Sequence, residues 1–144
     1  MAKQAIVVTK DFDLSKISLD LTKELNRAGQ IIHRDHFQRL ERGQGVKGAL
    51  VPSKKASGKT LVNTGKMRNL VTKKATKQKQ EVNLHPGRKQ TYPGTNVTMS
   101  DVGEFHQFGA GNLPVREWFG VTTKTEKRIV KMIELEIERQ IRRA

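Results

Sequence analysis

With 28 Lys and Arg against 14 Asp and Glu in 144 residues, this chain carries a net charge of +14, and only 35% of it is hydrophobic. That length suits a single domain spanning 1–144, and so basic a balance suits an acidic neighbour such as phosphate. There is no cysteine for disulfides or thiolate sites, no run near the roughly eighteen apolar residues of a membrane span, and too short an N-terminal apolar run for a signal peptide.

Ala5-Ile6-Val7-Val8-Thr9, compact and β-branched, predicts a short strand. Asp11 or Asp13 then offers an N-cap oxygen. From Leu14 on, Ile17, Leu21, Leu25, Ala28 and Ile32 step by three and four along one face of a long helix. Phe37 and Leu40 carry the stripe to a stop at Arg42-Gly43. Gly29 inside it costs about 1 kcal/mol against alanine and marks a close packing point or a bend. Gly43 to Thr60 holds four glycines, one proline and four lysines, and predicts a long flexible loop with little to bury.

Leu61 to Asn69 reads as a short helix. Leu70-Val71-Thr72, Gln80 to Leu84 and Asn96 to Met99 read as strands, broken by the cationic turn Lys73 to Lys79 and by His85-Pro86-Gly87. They predict a small antiparallel sheet with one face packed and one wet. In the last helix Thr123-x-x-Glu126 has the pattern of a capping box. Ile129, Ile133, Ile137 and Ile141 form a ladder that packs on the core or, alternatively, on a neighbouring copy. The predicted class is therefore α+β: long N-terminal and C-terminal helices packed on a small antiparallel sheet, with a flexible loop over 43–60.

The stretch from Glu104 to Gly120, EFHQFGAGNLPVREWFG, holds the sole tryptophan and three of five phenylalanines. A chain so poor in aromatics anchors itself here, because aromatics bury large areas. A short aromatic helix, a glycine turn and an extended segment from Pro114 should follow one another. Trp118 and Phe119 are expected in the core, with Arg116 orienting the segment through a charged hydrogen bond. In an extended strand Arg116 and Trp118 share one face and Phe119 takes the other. Unless the segment bends, one aromatic then faces a neighbouring subunit.

His106-Gln107-Phe108-Gly109, followed by Pro114-x-Arg116-x-Trp118-Phe119-Gly120, resembles the signature of the bacteriophage virion-morphogenesis (tail-completion, or neck) family. Its members read His-Gln-Phe-Gly, a short loop, then Pro-x-Arg-Pro-Phe-Leu-Gly. Asn63-Thr64-Gly65-Lys66-Met67-Arg68-Asn69-Leu70 is similar to that family's Asp-Thr-Gly-Arg-Leu-x-x-Ser-Ile. The resemblance covers most of the chain after about residue 15. Val102-Gly103 stands where Tyr-Ala is usual, Glu117 stands where a second proline is usual, and the usual tryptophan of the middle loop is absent. The resemblance implies a structural subunit of the virion neck that helps join tail to head, assembled in the host cytoplasm. Its implied partners are copies of itself in a sixfold or twelvefold ring, head-closure or connector proteins, and tail-terminator proteins. Phe105, His106, Phe108, Arg116, Trp118 and Phe119 are the candidate interface residues, and no cofactor or membrane is implied.

Chemistry points the same way. Ser57-Gly58-Lys59-Thr60 resembles the end of a P-loop, but residue 53 is serine where the motif needs glycine. His33 and His36 lack the partners of a zinc motif and read as surface histidines. His106 reads as a hydrogen-bonded structural histidine. No catalytic constellation emerges, and the chain is read as a non-enzyme. Between Lys47 and Lys89 twelve cations face one acid, Glu81. Within that region Lys54, Lys55, Lys59, Lys73, Lys74, Lys77 and Lys79 are candidate contacts to genomic DNA in a ring lumen or to an acidic protein. The alternative function is a basic nucleic-acid-binding protein, although only Tyr92 is there to stack on bases.

Overall fold

The computed structural model describes residues 4–9, 19–51, 69–87, 96–109, 111 and 114–143. Strands β1 (Ile6–Thr9), β2 (Val71–Lys73) and β3 (Glu81–His85) form one sheet in the order β1-β3-β2, and both neighbours run antiparallel to β3. Helices α1 (Thr22–Glu41), α2 (Met99–Phe108) and α3 (Thr123–Arg143) complete an α+β fold. Among the described residues no helix is long and apolar enough to cross a membrane.

The alternation in Glu81-Val82-Asn83-Leu84-His85 sets the layers. Val82 and Leu84 are fully buried, with Val8 and Ile6 opposite them on β1. Asn83 and His85 point the other way and share the outer face with Lys73 and Val71 of β2. Helix α1 covers the inner face, burying Leu25, Ala28, Ile32 and Leu40, and also contacts α3. Gly29 is the predicted packing point: a Cβ there would lie 3.0 Å from a methyl of Val82. The absence of that Cβ lets the helix settle on the sheet.

Three element boundaries depart from expectation. Residues 19–21 are not helical, so α1 starts at Thr22 and not at Leu14. The Asp20 carboxylate accepts from both the backbone and the hydroxyl of Thr22, and the Leu21 N–H turns to the Gln80 side chain. These local bonds compete with a helical turn. The expected strand at Asn96 to Met99 is not formed: Asn96 and Val97 are irregular, Thr98 makes an isolated bridge and caps α2, and Met99 begins that helix. Thr98 and Asp101 exchange bonds of 3.1 and 3.0 Å in a capping box, which overrides the β-propensity of Val97-Thr98. The cap of α3 is Thr122, whose hydroxyl accepts from the Thr125 N–H, one residue before the expected Thr123.

Along α3 the isoleucine ladder is graded. Ile129 is buried, Ile133 and Ile137 are half-buried and Ile141 is exposed. The ladder thus packs on the core at its N-terminal half. The helix is pinned near its far end by Gln140, whose side-chain amide bonds both the N–H and the C=O of Asp20.

Of the predicted loop, 43–51 lies within the described residues. It is irregular but anchored. Gln44 bridges Ala49, and Leu50 is buried in the core, an apolar anchor that the loop's composition concealed. Residues 52–60, the helix expected over 61–69 except its last residue, most of the Thr-Gly block and the proposed caps Asp11 and Asp13 lie outside the described residues; Asn69 is a bend and not helical.

Candidate functional site

Two constructions carry the residues singled out in the sequence. The first is the interlock between the two aromatic-glycine motifs. Helix α2 ends at Phe108, and Gly109, at φ 70°, caps it in the left-handed conformation that glycine adopts without strain. The chain then returns past Pro114 alongside its own helix. Arg116 N–H donates to the His106 carbonyl at 2.7 Å. The Gln107 side chain accepts from Phe119 N–H at 3.1 Å and donates to Phe119 C=O at 3.2 Å.

The two aromatics end on the same side because the segment bends. Trp118 N–H bonds to the Arg116 carbonyl at 2.8 Å. That three-residue turn, centred on Glu117, breaks strand alternation. Trp118 is fully buried and Phe119 nearly so. Their rings lie 5.4 Å apart, and His36 of α1 sits 5.4 Å from Trp118 and 6.4 Å from Phe119. His36 is therefore a core residue and not a surface histidine. It falls on the apolar stripe of α1, four residues after Ile32.

The indole fits because residue 103 is glycine. Trp118 Nε1 donates to the Gly103 carbonyl at 2.7 Å, and a Cβ on Gly103 would lie only 2.2 Å from the outer ring carbon of the indole. That carbon belongs to the part of the indole that a phenylalanine lacks. Gly103 and Trp118 are thus sterically matched.

Two arginines hold this segment from below. Arg116, expected to orient it, is buried and donates from Nε to the Val51 carbonyl at 2.6 Å. Its guanidinium also lies 2.9 Å from Nδ1 of His106. Burial first, and then the Arg116 charge, push the His106 pKa below its ordinary value. The neutral imidazole therefore accepts from the arginine. Arg39, which the sequence reading passed over, pairs with Asp35 at 3.0 Å and donates to the carbonyls of Trp118 and Gly120. A charged residue on the buried stripe of α1 was its only signal.

Of the six candidate interface residues, Arg116, Trp118 and Phe119 are inside the chain, where they support the surface and do not form it. Phe105 and His106 are half-buried. Phe108 is 69% exposed, and Val115 and Val51 are exposed as well.

The second construction is the basic hairpin between β2 and β3. Lys73, Lys74, Lys77 and Lys79 are all exposed. Their backbone is fixed from below. Asn26 of α1 bonds both the N–H and the C=O of Ala75, at 2.7 and 3.1 Å. The Gln80 amide spans the turn, donating to the carbonyls of Thr76 and Lys77 and to the Thr22 hydroxyl. A cleft of about 230 Å³ on the outer face of the sheet is lined by Lys73, Lys74, Lys79, Glu81, Asn83 and His85. Lys54, Lys55 and Lys59, and the P-loop-like tetrapeptide that ends with Thr60, lie outside the described residues. Among the described residues there is no group of three or more His, Cys, Asp or Glu side chains placed to hold a metal.

Comparison with models of protein families, with curated sequences and with solved structures found no match to this chain. The likeness to the tail-completion family rests on the motif residues.

Proposed function

We propose that this protein is a structural, non-enzymatic subunit of a tailed-bacteriophage neck, which assembles with copies of itself and with head-closure and tail-terminator proteins in the virion. The observation that supports this reading most is the interlock of the two motifs. His106, Gln107, Arg116, Trp118 and Phe119 make an internal scaffold that stiffens the end of α2. The scaffold leaves Phe108 outside, and an exposed aromatic on a rigid support is what a subunit interface uses as an anchor.

Light scattering across protein concentration tests the reading, at a salt that screens the net charge. The wild type should assemble with concentration, and Phe108→Asp should stay monomeric with an unchanged melting temperature. A wild type that is monomeric under all conditions, or a Phe108→Asp protein that assembles like it, refutes the proposal.

A further inference from the structure

We infer that the cleft on the outer face of the sheet is a binding site for a nucleic-acid backbone, contacting phosphates through Lys73, Lys74 and Lys79. The inference stands on the cleft's own chemistry and does not depend on ring assembly. Three exposed lysines, one ending β2 and two in the turn after it, converge there against one carboxylate, Glu81. They are not tethered to a mobile loop. The Asn26 clamp on Ala75 and the Gln80 amide across the turn hold the backbone that carries them. The conformational cost of ordering such a turn is met in folding and not on binding.

The lining also chooses between classes of acidic partner. Every residue of the cleft is polar, His85 supplies its one ring, and no aliphatic side chain is there to anchor a peptide. Its cations are all lysines, compact point charges with three donors each that bind phosphate oxygens. Asn83 sits in the same lining, and its side-chain oxygen is buried with no hydrogen-bond partner among the described residues. That oxygen is closed off from solvent, so contact to the backbone rests on the lysine ammonium groups. Phosphate contacts carry no sequence information, so binding through the three lysines is independent of sequence.

The test is fluorescence anisotropy with a labelled DNA duplex across a salt series, on the whole chain. The Lys73→Gln/Lys74→Gln/Lys79→Gln variant is compared with Lys124→Gln/Lys127→Gln/Lys131→Gln, which removes the same charge from exposed positions on α3. Three lost phosphate contacts should flatten the slope of log affinity against log salt by about 2.7 and weaken binding tenfold or more. The α3 variant should stay within about threefold of wild type, since charge far from the contact acts only through the screened field. Equal losses in both variants would mean diffuse attraction by the net charge and overturn the site. So would no duplex binding by the wild type at low salt. Labelled polyglutamate bound more tightly than duplex, and lost in the cleft variant, would give the site to an acidic protein and overturn the assignment.

Discussion

Gly103→Ala gives opposite signs according to which force rules that position. Gly103 lies inside α2, where exchanging glycine for alanine favours the helix by about 1 kcal/mol. Packing argues the other way. The new Cβ would sit 2.2 Å from an indole carbon and 3.1 to 3.2 Å from two more, against an ordinary contact of about 3.5–4.0 Å. Trp118 cannot simply retreat, since His36 and Phe119 stand against its ring. Overpacking of this kind costs about 1–3 kcal/mol, and displacing the indole puts its hydrogen bond to Gly103 at risk for about 1 kcal/mol more. The net expectation is a loss of about 1–3 kcal/mol. Urea unfolding followed by circular dichroism measures it, and the emission of Trp118, the sole tryptophan, reports whether its ring has moved. Trp118→Phe removes the clashing atoms, so the double variant should recover stability relative to Gly103→Ala alone. In a double-mutant cycle the coupling should reach about 1–3 kcal/mol. If Gly103→Ala is as stable as wild type with unchanged emission, the packing argument fails.

Trp118→Ala and Phe119→Ala should each lower the melting temperature of the monomer, at a cost of about 3–5 kcal/mol, because both rings are buried within one chain; thermal unfolding of the two variants checks this. The pKa of His106 is depressed in the folded state, so its contribution is complete above pH 6.5, the ordinary histidine value, and is lost as pH falls through the folded value. Stability measured against pH should therefore drop on acidification more in the wild type than in His106→Asn, which keeps an acceptor but does not titrate. Asn26→Asp keeps the acceptor for Ala75 N–H but sets a carboxylate against the Ala75 carbonyl, costing about 1–3 kcal/mol at neutral pH. Protonation restores a donor and raises the folded pKa of the new acid, so urea midpoints should show the deficit shrinking at acid pH.

Patterns with a short period were legible in the sequence. The stripe through Leu25, Ala28 and Ile32, the alternation of Val82 and Leu84, and the ladder starting at Ile129 each announce a buried face. The aromatic-glycine stretch was legible as the organiser, as was the hydrogen-bonded role of His106. What local pattern could not reveal were partners supplied from far along the chain. Glu117 sits at a turn whose carbonyl accepts from Val46, and only that bend puts Trp118 and Phe119 on one side. His36 read as a surface histidine and Arg39 went unremarked because the rings and carbonyls that receive them lie some eighty residues on. At Thr98 two local signals competed, and the side-chain cap prevailed over strand propensity.

A polar chain must still satisfy the backbone of its irregular segments, and here one device recurs. Gln140 on Asp20, Asn26 on Ala75 and Gln107 on Phe119 each use a side-chain amide to pair both the N–H and the C=O of one residue. A carboxamide suits this task, having a donor and an acceptor side by side, as a neighbouring strand would offer. Each clamp grips a segment without a regular ladder of its own: the approach to α1, the basic turn, and the end of the Trp118 segment. Two net hydrogen bonds contribute only about 1–3 kcal/mol per clamp, so the hydrophobic core still dominates stability. What the clamps supply is position. One fixes the turn that carries Lys73 to Lys79, and another fixes the return strand beneath Phe108. Both surfaces to which a partner is assigned are therefore held by amides from helices, which lets a chain only 35% hydrophobic keep them rigid without larger cores beneath.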